Sequence, residues 1–461
     1  MNTLEFTTTL DAAPERVFRW HARPGAFERL VPPWAPVRLE RFEGIGEGDR
    51  AVLRMGPGPL ALRWVAEHHD VIEGRQFCDR QVQGPFAYWD HTHRFEPTDE
   101  GGCRLVDRIE YALPAGGLGA AAAPYLVEPE LRRQFAYRHR VTRRDLALHR
   151  HYGAERAPLT VAVSGASGLV GSQLVPFLTT GGHTVRRLIR SRPVGGDEIL
   201  WDPASGVVEA EKLNDVDAVI HLAGENVFGP WTAGKKRRIH DSRANGTRLL
   251  ADALAGLDEP PSVFVSASAV GYYGDCGDEV VTEETPSGDG FLAAVCRDWE
   301  AATHPAAEAG IRTVQARIGV VLSPAGGALQ VQWPLFWLGL GGTVGRPDQY
   351  VPWITLDDVV GGLYHLVMDE ELEGPVNLTA PAPAPMSRYA ETLGAVLDRP
   401  TPLRVPPAVL RFLLGEMAEE MALKSARVVP DRLRSTGYTF GDPELEGALR
   451  HVLGRDTPAV R

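Results

Sequence analysis

The stretch VAVSGASGLVGSQL, residues 161–174, governs how most of this 461-residue chain is read. An apolar strand, TVAVSG, meets three glycines at three-residue intervals, Gly165, Gly168 and Gly171, and SQLVPFLTTGG follows as a helix ending at Gly181 and Gly182. Glycine suits such a turn because the bend is tight, a ligand must approach the backbone, and the helix must pack close to the strand. The helix N-terminus offers unpaired N–H groups to phosphate. Spaced glycines alone are a weak signal. Between a strand and a helix, with four more strand–helix units after them, they predict dinucleotide binding, with Gly165, Ser167, Gly168, Leu169, Val170 and Gly171 around the pyrophosphate.

Working outward, HTVRRLIRS, VDAVIHLAG, PSVFVSASAV and RTVQARIGVVLS are strands alternating with helices. This is the pattern of an α/β domain with a doubly wound parallel sheet, here residues 159–461. The helices VLRFLLGEMAEEMALKS and PELEGALRHVL would form a smaller lobe closing over the carboxyl edge of the sheet. In sites that prefer NAD, an acidic residue ends the second strand and accepts the ribose hydroxyls, but LIRSRP has none. Arg190 and Arg192 stand there instead, and guanidinium groups suit the 2′-phosphate of NADP, so NADP is expected over NAD. The alternative is that they only solvate a strand end. Leu222, Ala223 and Gly224 after the next strand would lie along ribose and adenine, and Ser266 is a further expected cofactor contact.

Before residue 150 the pattern differs. Residues 3–10 alternate as a strand, PERVFRWHA is helical after Pro14, and LALRWVAEHHDVIEG, FAYWDHTHRFEP and CRLVDRIEYAL alternate as strands of an antiparallel sheet with one buried face. PELRRQFAYRHRVTRRDLALHRHY reads as one long helix with Leu131, Phe135 and Leu146 on a stripe. Residues 1–150 thus form a smaller α+β domain, with 151–158 as linker. His68, His69, His91 and His93 raise the question of a metal, since His91 and His93 share a strand face. Histidines on a half-buried sheet more often bond neighbours or line a pocket, and no carboxylate or cysteine pattern accompanies these, so no metal is expected.

Composition narrows the function. With 44% hydrophobic and 23% charged residues and a formal charge of -12, the chain is that of a globular protein without general attraction to nucleic acid. No run is apolar enough to span a bilayer, the start carries no secretory signal, and a cytoplasmic protein is expected. Cys78, Cys103, Cys276 and Cys296 lack metal spacing and read as reduced thiols.

From the glycine turn onward, GASGLVG, HLAG, NGTRLL, SASAVGYYGD and WITLDDVV occur in the order of the extended short-chain dehydrogenase/reductase superfamily, which the chain resembles over nearly all of residues 159–450. GENV followed by WT, KK and SR, then GYYGD, FLAAVCRDWEAA, GVVLSPAGGAL, GPVNLTAP and LLGEMA resemble its sugar-nucleotide epimerase-like subgroup. The element order of residues 1–150 resembles the START-like (SRPBCC) helix-grip fold, which implies an apolar ligand between helix and sheet. The resemblance implies a Rossmann domain of extended type acting on a small-molecule substrate, with the backbone of Arg317 and Ile318 flanking the nicotinamide. Superfamily chemistry rests on a Tyr and a Lys four residues later, the ammonium lowering the phenol pKa so that it can exchange a proton. Counting back from Glu300, those positions hold Leu292 and Cys296, and none of the four lysines follows a tyrosine by four. The dyad is absent. Ser268 matches the superfamily serine that bonds a substrate oxygen, and Tyr272 or Tyr273 could supply a phenol, with Tyr273 more suited to packing. A Cys296 thiol would need a lowered pKa. Lys235 and Arg243 could clamp an anion or be ordinary helix charges, and Trp353 and Asp357 would line the lobe interface. Two readings result: an NADP-binding oxidoreductase or epimerase-like enzyme, or a non-catalytic NADP-dependent sensor whose first domain holds an apolar ligand.

Overall fold

The computed structural model describes residues 1–56, 58–114, 125–153 and 156–456. The chain divides into two compact units, one mainly of residues 1–157 and one mainly of 158–452.

In the first unit, β1 (Asn2–Leu10) leads into α1 (Pro14–Ala22) and α2 (Ala26–Leu30). Then come β2 (Val37–Phe42), β3 (Arg50–Met55), β4 (Leu62–Ile72), β5 (Gln76–Gln83), β6 (Tyr88–Pro97) and β7 (Cys103–Ala112), and finally α3 (Glu128–Gly153). The strands form one antiparallel sheet in the order β1-β7-β6-β5-β4-β3-β2. Period-two alternation drives it: Trp89, His91, His93 and Phe95 of β6 are buried, as are Cys103, Leu105, Asp107, Ile109 and Tyr111 of β7. The α3 stripe of Leu131, Phe135 and Leu146 is buried as its spacing predicts. A buried bidentate pair ties α2 to α3, Arg29 Nε to Asp145 Oδ2 at 2.8 Å and Nη2 to Oδ1 at 2.9 Å. The α3 helix runs to Gly153, into the stretch expected as linker.

The second unit begins with β8 (Thr160–Ser164), the glycine turn and α4 (Gly171–Gly181). It continues through β9 (Thr184–Ile189), β10 (Glu198–Asp202), β11 (Val207–Val208), β12 (Ala218–His221), α5 (Ala233–Ala255), β13 (Val263–Ala269), α6 (Phe291–Ala301), β14 (Arg312–Ile318) and β15 (Gly374–Leu378). The sheet order is β11-β10-β9-β8-β12-β13-β14-β15, parallel except for β11. Strand order reverses between β8 and β12, which is where doubly wound sheets open a crevice at their carboxyl ends. Two expectations are corrected. The RTVQARIGVVLS strand stops at Ile318, and Val320–Leu322 pairs separately with Trp353–Thr355. The VLRFLLGEMAEEMALKS helix breaks at Gly415, whose φ of +58° a continuous helix cannot hold, leaving Pro407–Leu414 and Glu416–Met421. Among the described residues, no helix is long and apolar enough to cross a membrane.

Candidate functional site

The glycine turn sits at the strand-order reversal. Gly165 has φ +68°, and a Cβ there would lie 2.8 Å from the Leu222 carbonyl carbon after β12. A Cβ at Gly171 would collide with the Gly165 carbonyl oxygen, and one at Gly168 would come within 3.2 Å of it. The turn closes through the Gly168 N–H to Gly165 O and the Ser172 N–H to Gly168 O, both 2.9 Å. Ser167 and Gly168 are exposed, with Leu169 and Val170 half-buried. These glycines therefore form a cradle that side chains would fill, and it fits a dinucleotide's phosphates. Below it, the buried Ser164 hydroxyl accepts from the Leu222 and Ala223 N–H groups at 3.0 and 3.2 Å and lies 2.6 Å from His221 Nδ1. The hydroxyl proton then points to Nδ1. Burial pushes the His221 pKa down to about 3, keeping the ring neutral.

Arg190 and Arg192 are exposed beyond the carboxyl end of β9 and make no hydrogen bond or ion pair with described residues. Their neighbour Arg187, by contrast, pairs with Glu198 at 3.0 Å. Leu222 and Ala223 are half-buried and Gly224 exposed at the end of β12. Ser266 is fully buried, its hydroxyl donating to the Ala267 carbonyl at 3.3 Å.

At the other end of the crevice, parallel register sets Ser268 beside Arg317 and Arg317 beside Asn377. The Arg317 guanidinium is buried, and all three of its nitrogens donate. It donates from Nε and Nη2 to the two Glu300 oxygens at 2.9 Å each, and from Nη1 to the Tyr273 hydroxyl at 2.9 Å. Ser268 donates to Glu300 Oε1 at 2.6 Å, and Tyr273 donates to Asn377 Oδ1 at 2.6 Å. Burial pushes the Tyr273 phenol up to about 12, so it packs rather than titrates. The half-buried Tyr272 ring lies on the Arg317 guanidinium, 3.6 Å from ring centre to Cζ, and its hydroxyl has no partner among the described residues. Ile318 is half-buried next to Arg317.

Leu292 and Cys296, at the dyad positions on α6, back onto Gly271, where a Cβ would lie 3.4 Å from Leu292 and 3.9 Å from the thiol. Burial pushes Cys296 up to about 12, which leaves an inert thiol. All four cysteines are free. Neither charge offered as an anion clamp is at liberty. Lys235 pairs with Glu225 at 2.9 Å, and Arg243 donates to the carbonyls of Glu225 and Ile239 at 3.0 and 3.1 Å. Trp353 and Asp357 are buried in packing, with Trp353 Nε1 donating to Ala382 O at 3.0 Å and Asp357 lying 2.8 Å from His451 Nε2. Sequence reading missed Glu300 and Asn377 as partners, because one lies on a helix and the other on a strand that only the register brings together.

The first unit encloses a cavity of about 350 Å³ between α3 and the sheet. Its walls are largely apolar, with Trp64, Phe77, Trp89, Leu131 and Phe135, and its polar lining includes His21, His68, Asp79, His91, His93 and Arg138, with Glu130 and Gln134 on α3. Register explains the grouping: Asp79 faces His91 and His93 faces Asp107 across adjacent strands. The histidines do line a pocket, but the expectation that no carboxylate accompanies them fails, since Asp79 and Asp107 stand on the same face. Burial alone would lower the His91 pKa; Asp79 and Asp107 outweigh it and raise it to about 9. Burial lowers His21 to about 4. His69 lies apart, between Asp70 and Asp90 at 3.2 and 3.0 Å.

The second unit is therefore an extended short-chain dehydrogenase/reductase fold with a dinucleotide cradle and an altered catalytic end, and the first is a helix-grip domain around an apolar cavity. Family comparison agrees. Residues 161–329 match the NAD dependent epimerase/dehydratase family, residues 1–137 the polyketide cyclase / dehydrase and lipid transport family, and residues 405–452 a domain of unknown function. An epimerase family protein of Mycobacterium tuberculosis is 42% identical over 300 residues, 65% of this chain and 99% of the relative. The crystal structure of a nucleoside-diphosphate sugar epimerase from Corynebacterium glutamicum superposes with TM-score 0.83 at 33% identity, covering 99% of this chain and 91% of the other. Human epimerase family protein SDR39U1, solved with NADPH, matches 64% of this chain and 99% of its own at 34% identity and TM-score 0.59. The chain belongs to the SDR39U1-like epimerase family, with a lipid-transport-like domain in front.

Proposed function

We propose that residues 159–461 bind NADP and act as an oxidoreductase or epimerase-like enzyme on a small molecule, while residues 1–150 take up an apolar ligand. The observation that carries the cofactor choice is the pair of exposed guanidinium groups, Arg190 and Arg192, without a hydrogen bond or ion pair among the described residues, where a ribose-binding carboxylate would favour NAD. The human relative solved with NADPH supports the same choice. The acidic composition and free thiols suit the cytoplasm.

NADP, when bound, supplies or accepts a hydride. The chain's own part is binding, orientation and proton handling. The glycine cradle, with Ser167, Leu169 and Val170, holds the phosphates. Leu222, Ala223 and Gly224 flank ribose and adenine, and buried Ser266 backs that wall. The Ile318 backbone and the fixed Arg317 shape the nicotinamide end. Ser268 orients Glu300 and thereby Arg317. Tyr272 is the group left to exchange a proton, because its phenol alone in this cluster has an unused hydroxyl. One observation favours the sensor reading, the inert Leu292 and Cys296 at the dyad positions.

Fluorescence titration with NADPH and NADH tests the first claim. Wild-type protein is expected to prefer NADPH, and Arg190→Ala with Arg192→Ala to lose that preference by about tenfold or more, roughly 1.4 kcal/mol. Equal binding of both nucleotides would overturn it. With a substrate found by NADPH oxidation, Tyr272→Phe should lower kcat/KM by about 10²–10⁴ while leaving NADPH affinity unchanged. An unaffected rate removes Tyr272 from the chemistry.

A further inference from the structure

The buried histidine and aspartate cluster of the first unit has the form of a coordination shell. Asp79 Oδ2 lies 3.2 Å from His91 Nδ1 and 3.5 Å from His93 Nε2, and one ligand atom from each of the three residues falls within 4.8 Å of the others. Divalent zinc and its neighbours bind His nitrogen and carboxylate oxygen at about 2.0–2.2 Å, so adjacent ligands stand about 3.0 Å apart at right angles and about 3.4 Å apart in a tetrahedron. The two edges from Asp79 match this spacing, and the third lies within 4.8 Å.

The surroundings match as well. Ligating imidazoles are usually fixed through their second nitrogen by a carboxylate. Here both second nitrogens converge on one oxygen, Asp107 Oδ1, with His91 Nε2 at 3.2 Å and His93 Nδ1 at 2.7 Å. The other Asp107 oxygen is held by His139 Nε2 at 2.6 Å. His93 Nδ1 is buried and, although close to Asp107, completes no hydrogen bond. An ion at Nε2 would fix the proton on Nδ1 and turn it to Asp107. All three would-be ligands line the apolar cavity, so the remaining coordination positions face the space where a ligand would sit.

We infer that Asp79, His91 and His93 bind one first-row divalent metal ion, zinc or ferrous iron, with open positions directed into the cavity of the first unit. Two imidazoles and one carboxylate suit either ion, and softer or purely oxygen-seeking ions suit it less. The site has no counterpart in the NADP chemistry of the second unit, and it gives the cavity a means of holding a polar group of an otherwise apolar ligand.

The test is titration of chelator-stripped full-length protein with Co²⁺ as a visible-absorption probe, with Zn²⁺, and with Fe²⁺ under anaerobic conditions. One ion per chain is expected, and whichever of zinc or iron binds tighter names the ion. Asp79→Asn and His93→Gln should each weaken binding at least 100-fold, whereas His69→Gln, in the separate His69, Asp70 and Cys78 group, should not. X-ray absorption of the metal-loaded wild-type protein gives a measure that needs no variant, with two imidazoles expected around the ion and no sulfur. No stoichiometric ion, binding that survives both variants, or a sulfur ligand would overturn the assignment.

Discussion

The two units bury charge in opposite ways. In the second, every Arg317 nitrogen is used: Glu300 takes two, and the Tyr273 hydroxyl and the Glu283 carbonyl share the third. In the first, His21, His91, His93 and His139 crowd around Asp79 and Asp107, yet among the described residues Arg138 Nε has no hydrogen-bond partner and His93 Nδ1, 2.7 Å from Asp107 Oδ1, completes no hydrogen bond. The Arg317 cluster engages its cation on every nitrogen and leaves one buried atom, Glu283 Oε2, unpartnered among the described residues, whereas the first cluster lines a cavity. A network that holds its cation on every nitrogen fixes shape, so the residues it spares, here Tyr272, are the ones left for chemistry. An unsaturated network beside empty space has capacity left for a ligand.

The largest expected effect tests the Arg317 cluster. Arg317→Met leaves Glu300 without its partner, and removing one member of a buried pair costs about 3–5 kcal/mol. Urea unfolding of the full chain should show that loss; a change below about 1 kcal/mol would mean the pair is not the keystone described. Next, Gly165→Ala places a side chain at φ +68° and 2.8 Å from Leu222. NADPH affinity should fall about 100-fold or more, roughly 2.7 kcal/mol, with Gly168→Ala much milder because its neighbour is at 3.2 Å.

These two residues also show what sequence can and cannot give. Gly165 is legible because a local rule requires it: a strand, a turn and a helix follow one another within fourteen residues, 161–174. The order of elements and the free arginines after β9 are legible for the same reason. Arg317 was read only as backbone beside the cofactor. Its partners Glu300 and Tyr273 come from α6 and the turn after β13, and Asn377 of β15, beside Arg317 in the register, accepts from the Tyr273 hydroxyl, so the group meets only in the folded chain. The same holds for Asp79 and Asp107. Two-residue alternation puts each on the buried face of its own strand, but that Asp79 meets His91 and Asp107 meets His93 depends on hairpin register, which sequence pattern alone did not fix. The missing Tyr and Lys were legible by counting. What took their place was not, since Leu292 and Cys296 pack against the turn at Gly271, distant in sequence.

A smaller effect comes from pH. His221 is neutral in the fold, with its pKa lowered to about 3, whereas an unfolded histidine titrates near 6.5. Below about 6.5 the unfolded chain takes up a proton that the native chain refuses, so stability falls as pH drops from about 6.5 towards 3. At pH 5 the loss from this one residue is roughly 2 kcal/mol. In His221→Asn, whose side-chain oxygen can still accept from Ser164, the stability curve over that window should be flatter by about that amount; parallel curves would place His221 outside the pH response.

The smallest expected effect separates the two clusters most sharply. Arg138 lines the cavity, is stacked near Phe135 at 5.1 Å, and keeps Nε without a partner. Burial lowers its pKa, although Asp107 and Asp79 counter this. Its favourable attraction to the two aspartates is thus set against a desolvation cost that is the larger of the two. Arg138→Met keeps the length and apolar contact of the side chain and removes both terms, so urea unfolding should show no loss of stability and a gain of no more than about 1 kcal/mol. The same chemical change is strongly destabilising at Arg317. If Arg138→Met instead destabilised the chain as strongly as Arg317→Met, the first cluster would hold its cation as fully as the second, and Arg138 Nε and His93 Nδ1 would no longer speak for a ligand.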